Sequence, residues 1–423
     1  MSELGPSPLA EGDRNLSVAE ARAAIHAALL PITGTETVPL QQALGRVLAA
    51  DVVSPIDVPA HDNSAMDGYA FDGGALGAGV ALALLNVGAV HAGAPYAGTV
   101  GAGRCLRIMT GAVMPAGCDT VVPQELCRAD GDRVHIEPGV IRAGENRRKR
   151  GEDLALGSAA LKAGRVLRPA DLGLVASLGF EAVAVHRRLR VALFSTGNEV
   201  RVPGQPLGPG CIYDSNRYSL IGALQRLGME VLDLGLVPDD PAALRATLRR
   251  AVAEADAVLT SGGVSVGDAD YTRQLLAEMG DVAFWKVAMR PGRPFAFGPL
   301  QGDGGRKAWL FALPGNPVAA LVTFYAFARE ALLVLGGARP EPLVTLSARS
   351  IEAIRKRPGR TEFQRGIVER AADGGWQFRL TGSQGAGVLR SMTEANALVV
   401  LGHEQGSVAA GEPVEVWLFD ALT

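Results

Sequence analysis

The sequence predicts a multidomain α/β protein built around a doubly wound, mostly parallel sheet. Three stretches, which begin at Arg190, Ala257 and Ala308, share one layout: a buried apolar strand, a Gly-rich turn and the start of a helix. Strands covered on both faces are typically continuous apolar runs. Strands and helices alternate from Arg190 to about Gly337, which indicates a parallel sheet. The loops after such strands open at one edge of the sheet, where these folds bind ligands.

Length and composition exclude several classes of protein. A chain of 423 residues is too long for one core, so about two to four domains are expected. With 48% hydrophobic and 20% charged residues the composition is that of a globular protein. A net charge of -3 argues against a nucleic-acid binder. The four cysteines form no CxxC pair, which favours reduced thiols in a cytoplasmic protein.

Residues 73–103 contain no acidic or basic side chain, so a membrane span has to be considered. The stretch is interrupted by many glycines and by Asn86, His91 and Pro95. Buried strands between glycine turns account for it better than a lipid-facing helix does. We therefore expect no membrane association.

The first part of the chain predicts helices around a β-rich insertion. Ser17 to Glu20 form a capping box, and apolar residues follow at helical spacing until Pro31. Val38 to Asp51 suggests a short strand and a second helix, and Pro169 to Gly179 suggests a compact helix. Between them, from His61 to about Arg150, short β runs and glycine turns predict a small β-rich domain.

From Arg190 onward the predicted elements alternate. They are strands at 190–195, 230–236, 256–260, 282–287 and 308–313, and helices at 217–227, 241–254 and 271–279. A last helix has Asn316 as its N-cap and Pro317 at its first position, and Gly336 lies just past its end. Beyond Glu341 short strands and an Asp373-Gly374 hairpin signal predict a small β-barrel or sandwich. The predicted domains are an elongated linking domain of 14–60 with 152–187, the β-rich domain of 61–151, the α/β domain of 188–337 and the C-terminal domain of 338–423.

The loop from Ser261 to Gly267 could bind phosphate. Gly262 and Gly263 would let backbone N–H groups approach an anion, and Ser265 could donate a hydroxyl. The loop lacks the spacing and the lysine of a Walker motif, so an ordinary Gly-rich turn remains the alternative. Asp270 follows it closely, and Mg²⁺ is the cation that joins carboxylates to phosphate oxygens.

Further charged residues are expected at the same edge of the sheet. Asp239 follows the strand at 230–236 and Glu199 ends the first Gly-rich loop, although both could be ordinary helix-start residues, with Asp240 as the better cap. Lys286, Arg290 and Arg293 surround a proline-bounded turn, where they could bind an oxyanion or form a solvated basic turn. No Ser/His/Asp or Cys/His motif supports nucleophilic catalysis.

Seven motifs in order resemble the MoeA family of molybdopterin molybdenumtransferases, which includes the gephyrin E-domain. They are Asp62-Asn-Ser-Ala-Met-Asp-Gly-Tyr69, Arg107-Ile-Met-Thr-Gly111, Gly151-Glu-Asp153, Ser195-Thr-Gly-Asn-Glu199, Ser261-Gly-Gly-Val-Ser-Val-Gly267, Pro291-Gly-Arg-Pro294 and Leu313-Pro-Gly-Asn-Pro317. The resemblance implies a MogA-like α/β domain and insertion of molybdate into adenylylated molybdopterin, with Mg²⁺-dependent release of AMP. It also implies an elongated homodimer whose active site lies between the α/β domain of one subunit and the small domains of the other. Molybdopterin adenylyltransferase and molybdoenzyme acceptors would be its partners.

Matched motif by motif, the resemblance assigns functional roles to a set of polar residues. They are Asp67, Thr110, Asp153, Glu199, Asp239 and Asp270 as polar catalytic residues, with Lys286, Arg290, Arg293 and Arg365 on the oxyanion side and Pro314 and Pro317 shaping the loop beside them. Spacing alone leaves Asp67 and Asp153 as structural residues. Asn198 stands where Asp is common, Arg290 and Arg293 replace the usual lysines, and Ala386 stands where Ser is expected.

Two alternative functions remain open from the sequence. A single α/β domain of this kind also resembles the adenylyltransferase that acts on molybdopterin, but that protein lacks the flanking domains predicted here. A non-catalytic scaffold is the other alternative, because the gephyrin branch also clusters receptors. No long linker or second fused domain in this sequence supports it.

Overall fold

The computed structural model describes residues 15–32, 34–262 and 270–422. It confirms a multidomain α/β protein with a mostly parallel sheet, a β-rich insertion and a C-terminal barrel. The N-terminal helix Val18–Ala28 begins at Ser17, whose hydroxyl accepts a hydrogen bond from the Glu20 N–H at 3.2 Å. The Glu20 carboxylate accepts in return from the Ser17 N–H at 2.8 Å, which completes the predicted capping box. Val18, Ala21 and Ile25 on this helix pack into the core of the α/β domain.

The second helix predicted within Val38–Asp51 is wrong. The strand Thr35–Pro39 is followed by a single 3₁₀ turn, Leu40–Gln42. Gly45 takes a φ of 71°, and its N–H donates to the Leu167 carbonyl at 2.9 Å. Pairing with a distant segment of the linking domain therefore outweighs the local helix propensity.

The rest of the linking domain consists of short antiparallel pairs and one helix. Thr35–Pro39 pairs with Ala182–His186, and Val52–Val53 pairs with Ala159–Leu161. The helix Pro169–Ser177 has proline at its first position, as predicted. The chain leaves this helix through Gly179, which has a φ of 85°.

The β-rich insertion is a six-stranded sheet with an apolar cluster on each face. Its strands in spatial order are Thr120–Pro123, Gly68–Phe71, Arg104–Ile108, Leu82–Val90, Arg133–Ile136 and Cys127–Asp130. The uncharged stretch 73–103 contains the strand Leu82–Val90, so the predicted strand is confirmed, but only Leu84 and Val90 in it are buried.

The α/β domain is a seven-stranded sheet. Its strands in spatial order are Asn15–Leu16, Ala283–Val287, Pro294–Gln301, Lys307–Leu313, Ala257–Ser261, Arg190–Thr196 and Glu230–Val237, and its outer helices are Asn216–Arg226, Pro241–Glu254 and Asp270–Met279. Only Pro294–Gln301 runs antiparallel to both neighbours. This strand is not predicted from the sequence, because Pro294, Gly298 and Pro299 are typical of a turn.

The core helix, Pro317–Leu335, lies under this sheet. It consists of Pro317–Thr323, a π-helical turn at Phe324–Ala328 and Arg329–Leu335. Among the described residues, this is the helix that is long and apolar enough to cross a membrane. However, 72% of its most apolar 18-residue stretch is buried inside the protein. The π turn was not predicted, and its Ala326 carbonyl accepts a hydrogen bond from Arg22 Nε at 2.8 Å.

The C-terminal domain is a closed β-barrel. Its strands are Thr345–Ser350, Thr361–Arg370, Trp376–Leu380, Ala397–Leu401 and Pro413–Leu418, and two short helices, Arg390–Glu394 and Phe419–Leu422, accompany them. Pairing between Thr361–Arg370 and Ala397–Leu401 closes the barrel. The two-residue strand Met289–Arg290 of the α/β domain pairs with Thr361 and Glu362, so the barrel is attached beside the predicted oxyanion turn.

Candidate functional site

A cleft of about 1320 Å³ opens at the carboxyl edge of the parallel strands, where the sequence predicts a site. Loops from the α/β domain form most of it, and a barrel loop closes one side. The predicted site residues that line it are Glu199, Asp239, Ser261, Gly262, Arg290, Arg293, Pro314 and Pro317. The fold thus brings predicted acids and predicted arginines to one cavity.

The acidic wall of the cleft is formed by two loops that hold each other. The Asn198 N–H donates to Asp239 Oδ2 at 3.0 Å, and the Asp239 N–H donates to Asn198 Oδ1 at 3.3 Å. The amide oxygen of Asn198 therefore makes the bond that a carboxylate oxygen could make at this position. Asp240 caps the helix Pro241–Glu254 by accepting from the Ala243 N–H at 2.8 Å. Because Asp240 is the cap, Asp239 is left to line the cleft.

The Glu199 side chain, which lines the cleft, lies close to Gly197, two residues before it. Gly197 has a φ of 140°, and a Cβ at that position would lie 2.8 Å from Glu199 Oε2. Glu199 precedes the short strand Val200–Arg201, so the alternative of a helix-start residue is wrong.

The cationic wall is a turn that is fixed by its contacts with the core helix. Gly292 has a φ of 102°, and a Cβ there would lie 2.3 Å from Thr323 Oγ1. The Val287 N–H donates to the Arg293 carbonyl at 2.8 Å. Arg290 and Arg293 are therefore held on a rigid backbone at the cleft. Lys286 lies on the strand Ala283–Val287 and is absent from the described lining of the cleft.

The floor of the cleft contains residues that were not predicted from the sequence. Asp214, Ser215 and Asn216 line the cleft where the helix Asn216–Arg226 begins. Asp214 is buried and pairs with Arg217 Nε at 3.0 Å, while Arg217 also reaches Asp233. The signal that could have found them is this polar triplet, which stands where a strand-to-helix loop was predicted.

A barrel loop closes the cleft beside the N-terminus of the core helix. The Val318 N–H in the first turn of that helix donates to the Ala386 carbonyl at 3.0 Å. Gln384, Ala386 and Gly387 from this loop line the cleft. Ala386 thus contributes its backbone, so the hydroxyl of the expected serine is not needed for this contact.

Arg365 is placed differently from the prediction. It is fully buried, and its guanidinium donates to Ser391 Oγ at 3.0 Å and to the carbonyls of Ser383, Gln384 and Gly385. Burial, and then the neighbouring charge of Arg290, lower the pKa of Arg365 to about 10. The side chain holds the barrel loop and borders a separate cavity of about 320 Å³ that also touches Arg290.

The predicted residues of the small domains lie elsewhere. Asp67 Oδ1 accepts from both the backbone N–H and the hydroxyl of Thr110, each at 2.7 Å. The Thr110 N–H, and then its hydroxyl, hold the pKa of Asp67 below its ordinary value. The Asp153 N–H donates to the Val58 carbonyl at 3.0 Å. In the described cleft none of the three is a lining residue.

Two of the three residues predicted to bind magnesium, Glu199 and Asp239, line the cleft. Carboxylates of this kind suit Mg²⁺, which binds them together with substrate phosphates. Among residues 15–32, 34–262 and 270–422, no group of three or more His, Cys, Asp or Glu side chains could hold a metal by itself. Gly263, Ser265 and the Asp270 side chain lie outside the described residues.

Comparison with known proteins identifies the family. Three family descriptions match in order: MoeA N-terminal region (domain I and II) over residues 16–179, probable molybdopterin binding domain over 192–333, and MoeA C-terminal region (domain IV) over 347–419. A molybdopterin molybdenumtransferase of Haemophilus influenzae is 40% identical over 391 residues, 92% of this chain and 95% of that protein. One from a Nostoc species is 39% identical over 388 residues, 90% of this chain and 88% of that protein.

Solved structures agree with the sequence matches. The crystal structure of a molybdopterin biosynthesis MoeA protein from Pyrococcus horikoshii has a TM-score of 0.81 at 28% identity and covers 96% of this chain and 100% of that one. A second structure described as this type of protein, also from Pyrococcus, has a TM-score of 0.72 at 31% identity and covers 96% of this chain and 99% of that one. The chain therefore belongs to the MoeA family of molybdopterin molybdenumtransferases.

Proposed function

We propose that this protein inserts molybdate into adenylylated molybdopterin, with release of AMP and with Mg²⁺ required. One observation carries the proposal: Glu199 and Asp239 share a cleft with Arg290 and Arg293. A carboxylate wall suits a cation that carries phosphate oxygens, and an arginine wall suits a free oxyanion. The names and sequence identities of the relatives support this reading.

The proposed mechanism depends on positioning and charge rather than on a protein nucleophile. Glu199 and Asp239 would hold Mg²⁺, which supplies neutralising charge to the diphosphate when bound. Arg290 and Arg293 hold molybdate by their planar guanidinium groups, beside the dithiolene of the pterin. The backbone at Gly262 borders the phosphate side of the cleft. Water adds to the phosphoanhydride phosphorus and AMP leaves, while the two dithiolene sulfurs displace oxygens of molybdate, which leave as water, so that the metal stays on the pterin.

We further propose that the protein acts as a homodimer in the cytoplasm. Asp67, Thr110 and Asp153 would then complete the cleft of the partner subunit, since they do not line their own. The adenylylated substrate would come from molybdopterin adenylyltransferase, and molybdoenzymes would accept the product. These assignments rest on the family resemblance and on the location of the small-domain residues.

The direct test is reconstitution with purified protein. Adenylylated molybdopterin, Mg²⁺ and molybdate or tungstate are supplied, and AMP and pterin-bound metal are measured. We expect AMP and inserted metal to appear together, and both to stop when a chelator removes Mg²⁺. If the protein instead consumed ATP and unadenylylated molybdopterin, it would be an adenylyltransferase. A folded dimer inactive in both assays would indicate a scaffold.

A further inference from the structure

Asn216 ties together two loops that are far apart in the sequence. Its side-chain nitrogen donates to Ser261 Oγ and to the Gly315 carbonyl, both at 2.7 Å. Ser261 ends the strand Ala257–Ser261, and Gly315 lies between the strand Lys307–Leu313 and the core helix. One amide thus bridges the Gly-rich loop on the phosphate side and the loop beside the arginine turn.

The Ser261 hydroxyl continues this connection and is already used. Ser261 is 2% exposed, and its hydroxyl donates to the Pro314 carbonyl at 3.3 Å while it accepts from Asn216. A hydroxyl has a single proton to donate. The substrate-binding role predicted for Ser261 is therefore replaced by a bond between the two loops.

The backbones of the two loops also touch. The Gly262 N–H donates to the Leu313 carbonyl at 3.2 Å. A Cβ on Gly315 would lie 3.8 Å from Gly262 Cα. The Asn216–Ser261–Pro314 chain spans this contact and so sets how far apart the loops lie.

Asn216 itself is held from below. The neighbouring Asp214 is 4% exposed, and it accepts from Ser195 Oγ at 3.1 Å and from the Arg217 N–H at 3.2 Å. Arg217 also donates to Asp233. The buried ion pair between Asp214 and Arg217, whose members flank Asn216, therefore fixes the backbone from which its amide reaches the two loops.

We infer that Asn216 is a positioning residue which, through Ser261, fixes the distance between the bound diphosphate and the bound molybdate. This inference rests on the proposed function. Molybdate and the reacting pterin have to be held at a set separation, and a misplacement of about 1 Å can slow a reaction about 100-fold. A positioning residue of this kind affects turnover more than substrate binding.

The test compares Asn216→Ala, Ser261→Ala and the double variant. We expect each single variant to lower kcat for AMP release about 100-fold, with KM for the adenylylated pterin nearly unchanged. Because the two side chains belong to one series of hydrogen bonds, the double variant should be no slower than the slower of the two single variants. Asn396→Ala is the matched control: it removes two amide bonds to Val368 in the barrel, away from the cleft, and should leave kcat unchanged.

Three results would overturn the inference. If Ser261→Ala kept full kcat, or if the two losses multiplied in the double variant, Asn216 would act on the substrate directly. Hydrogen exchange at the Gly262 amide gives a second readout that needs no substrate, and it should be faster in Asn216→Ala and Ser261→Ala than in Asn396→Ala. Unchanged exchange in both cleft variants would refute the loop connection. If the wild-type protein released no AMP, the proposed function would fail while the exchange measurement still decided this point.

Discussion

The α/β domain and the small β-rich domain present their predicted polar residues in opposite ways. In the α/β domain, Glu199 and Asp239 line the same cleft as Arg290 and Arg293. In the β-rich domain, Asp67 is turned onto Thr110 within its own loop cluster. The first set forms a site within one chain, and the second set does not.

The difference reflects how each fold brings residues together. In a parallel sheet, the loop after each strand opens at the same edge of the sheet. Polar residues from several loops of one chain therefore meet there. The sheet of the β-rich domain is mixed, with one parallel pair among antiparallel ones, so its connecting loops are divided between the two ends of the strands. Under the proposed homodimer, Asp67 would therefore act at the cleft of the second chain, whereas Asp239 would act at the cleft of its own chain.

The largest effect is expected from Asp239→Asn. This change removes a charge from the acidic wall but keeps the side-chain size, and we expect Mg²⁺-dependent AMP release to fall by about 100-fold or more. A mild loss that more Mg²⁺ did not restore would contradict a metal-binding role. AMP release as a function of Mg²⁺ concentration measures both the loss and its dependence on the metal.

Asp240→Asn is the control for this variant, since it changes the next residue in the same loop. Asp240 caps a helix, and Asn is an equally good N-cap. Its AMP release and melting temperature should therefore stay close to those of the wild type. Equal losses in both variants would mean that the loop has collapsed.

A mixed dimer tests whether the β-rich domain serves the partner subunit. Asp67→Asn and Asp239→Asn are each expected to be nearly inactive as homodimers. When both chains are co-expressed, half of the dimers are mixed, and each mixed dimer has one cleft with both wild-type aspartates. Activity should then recover to about a quarter of the wild-type value. No recovery, with mixed dimers verified by differently tagged chains, would place both residues in one subunit's site.

The cleft could be predicted from the sequence because its signals are local. Apolar runs followed by glycine turns mark strand ends, and the helix Pro241–Glu254 has the bounds predicted from its cap and its proline. The strand Pro294–Gln301 was missed because its prolines lie at positions that this particular sheet tolerates. Whether a strand can contain a proline depends on its tertiary surroundings, which local propensity does not reveal.

The roles of single side chains were harder to predict than the location of the site. Ser261 has the residue type of a phosphate ligand, but its hydroxyl is taken by Asn216, which lies 45 positions away. Arg365 has the residue type of an oxyanion ligand, but its guanidinium donates to the Ser391 hydroxyl and to three carbonyls of the barrel loop. Such partners depend on chain segments that meet only in the folded protein.

Gly292→Ala should disturb the cationic wall, with a smaller effect on AMP release than Asp239→Asn. A Cβ at this position would meet Thr323 Oγ1, and the backbone is in a left-handed conformation. We expect the free energy of unfolding to fall by about 2 kcal/mol, and AMP release to fall about 10-fold as the arginines shift. Gly204→Ala is the matched control, because Gly204 has a φ of 94° with open space around it. It should lose only about 1 kcal/mol and keep its activity.

The smallest effect concerns the ionisation of Asp67. Thr110→Val removes the hydroxyl bond but keeps the backbone N–H, which is the larger cause of the lowered pKa. The pKa of Asp67 should therefore rise toward its ordinary value of about 4 without reaching it. A carboxylate with a lowered pKa stabilises the fold above the unfolded-state pKa, and this stabilisation is lost as the pH falls through the folded-state pKa. In Thr110→Val this loss should be smaller and should be complete at a higher pH, and NMR titration of the carboxyl carbon can follow the raised pKa of Asp67. An unchanged titration would mean that the hydroxyl does not bond to Asp67 in solution and that Thr110 is free to contact a partner's ligand.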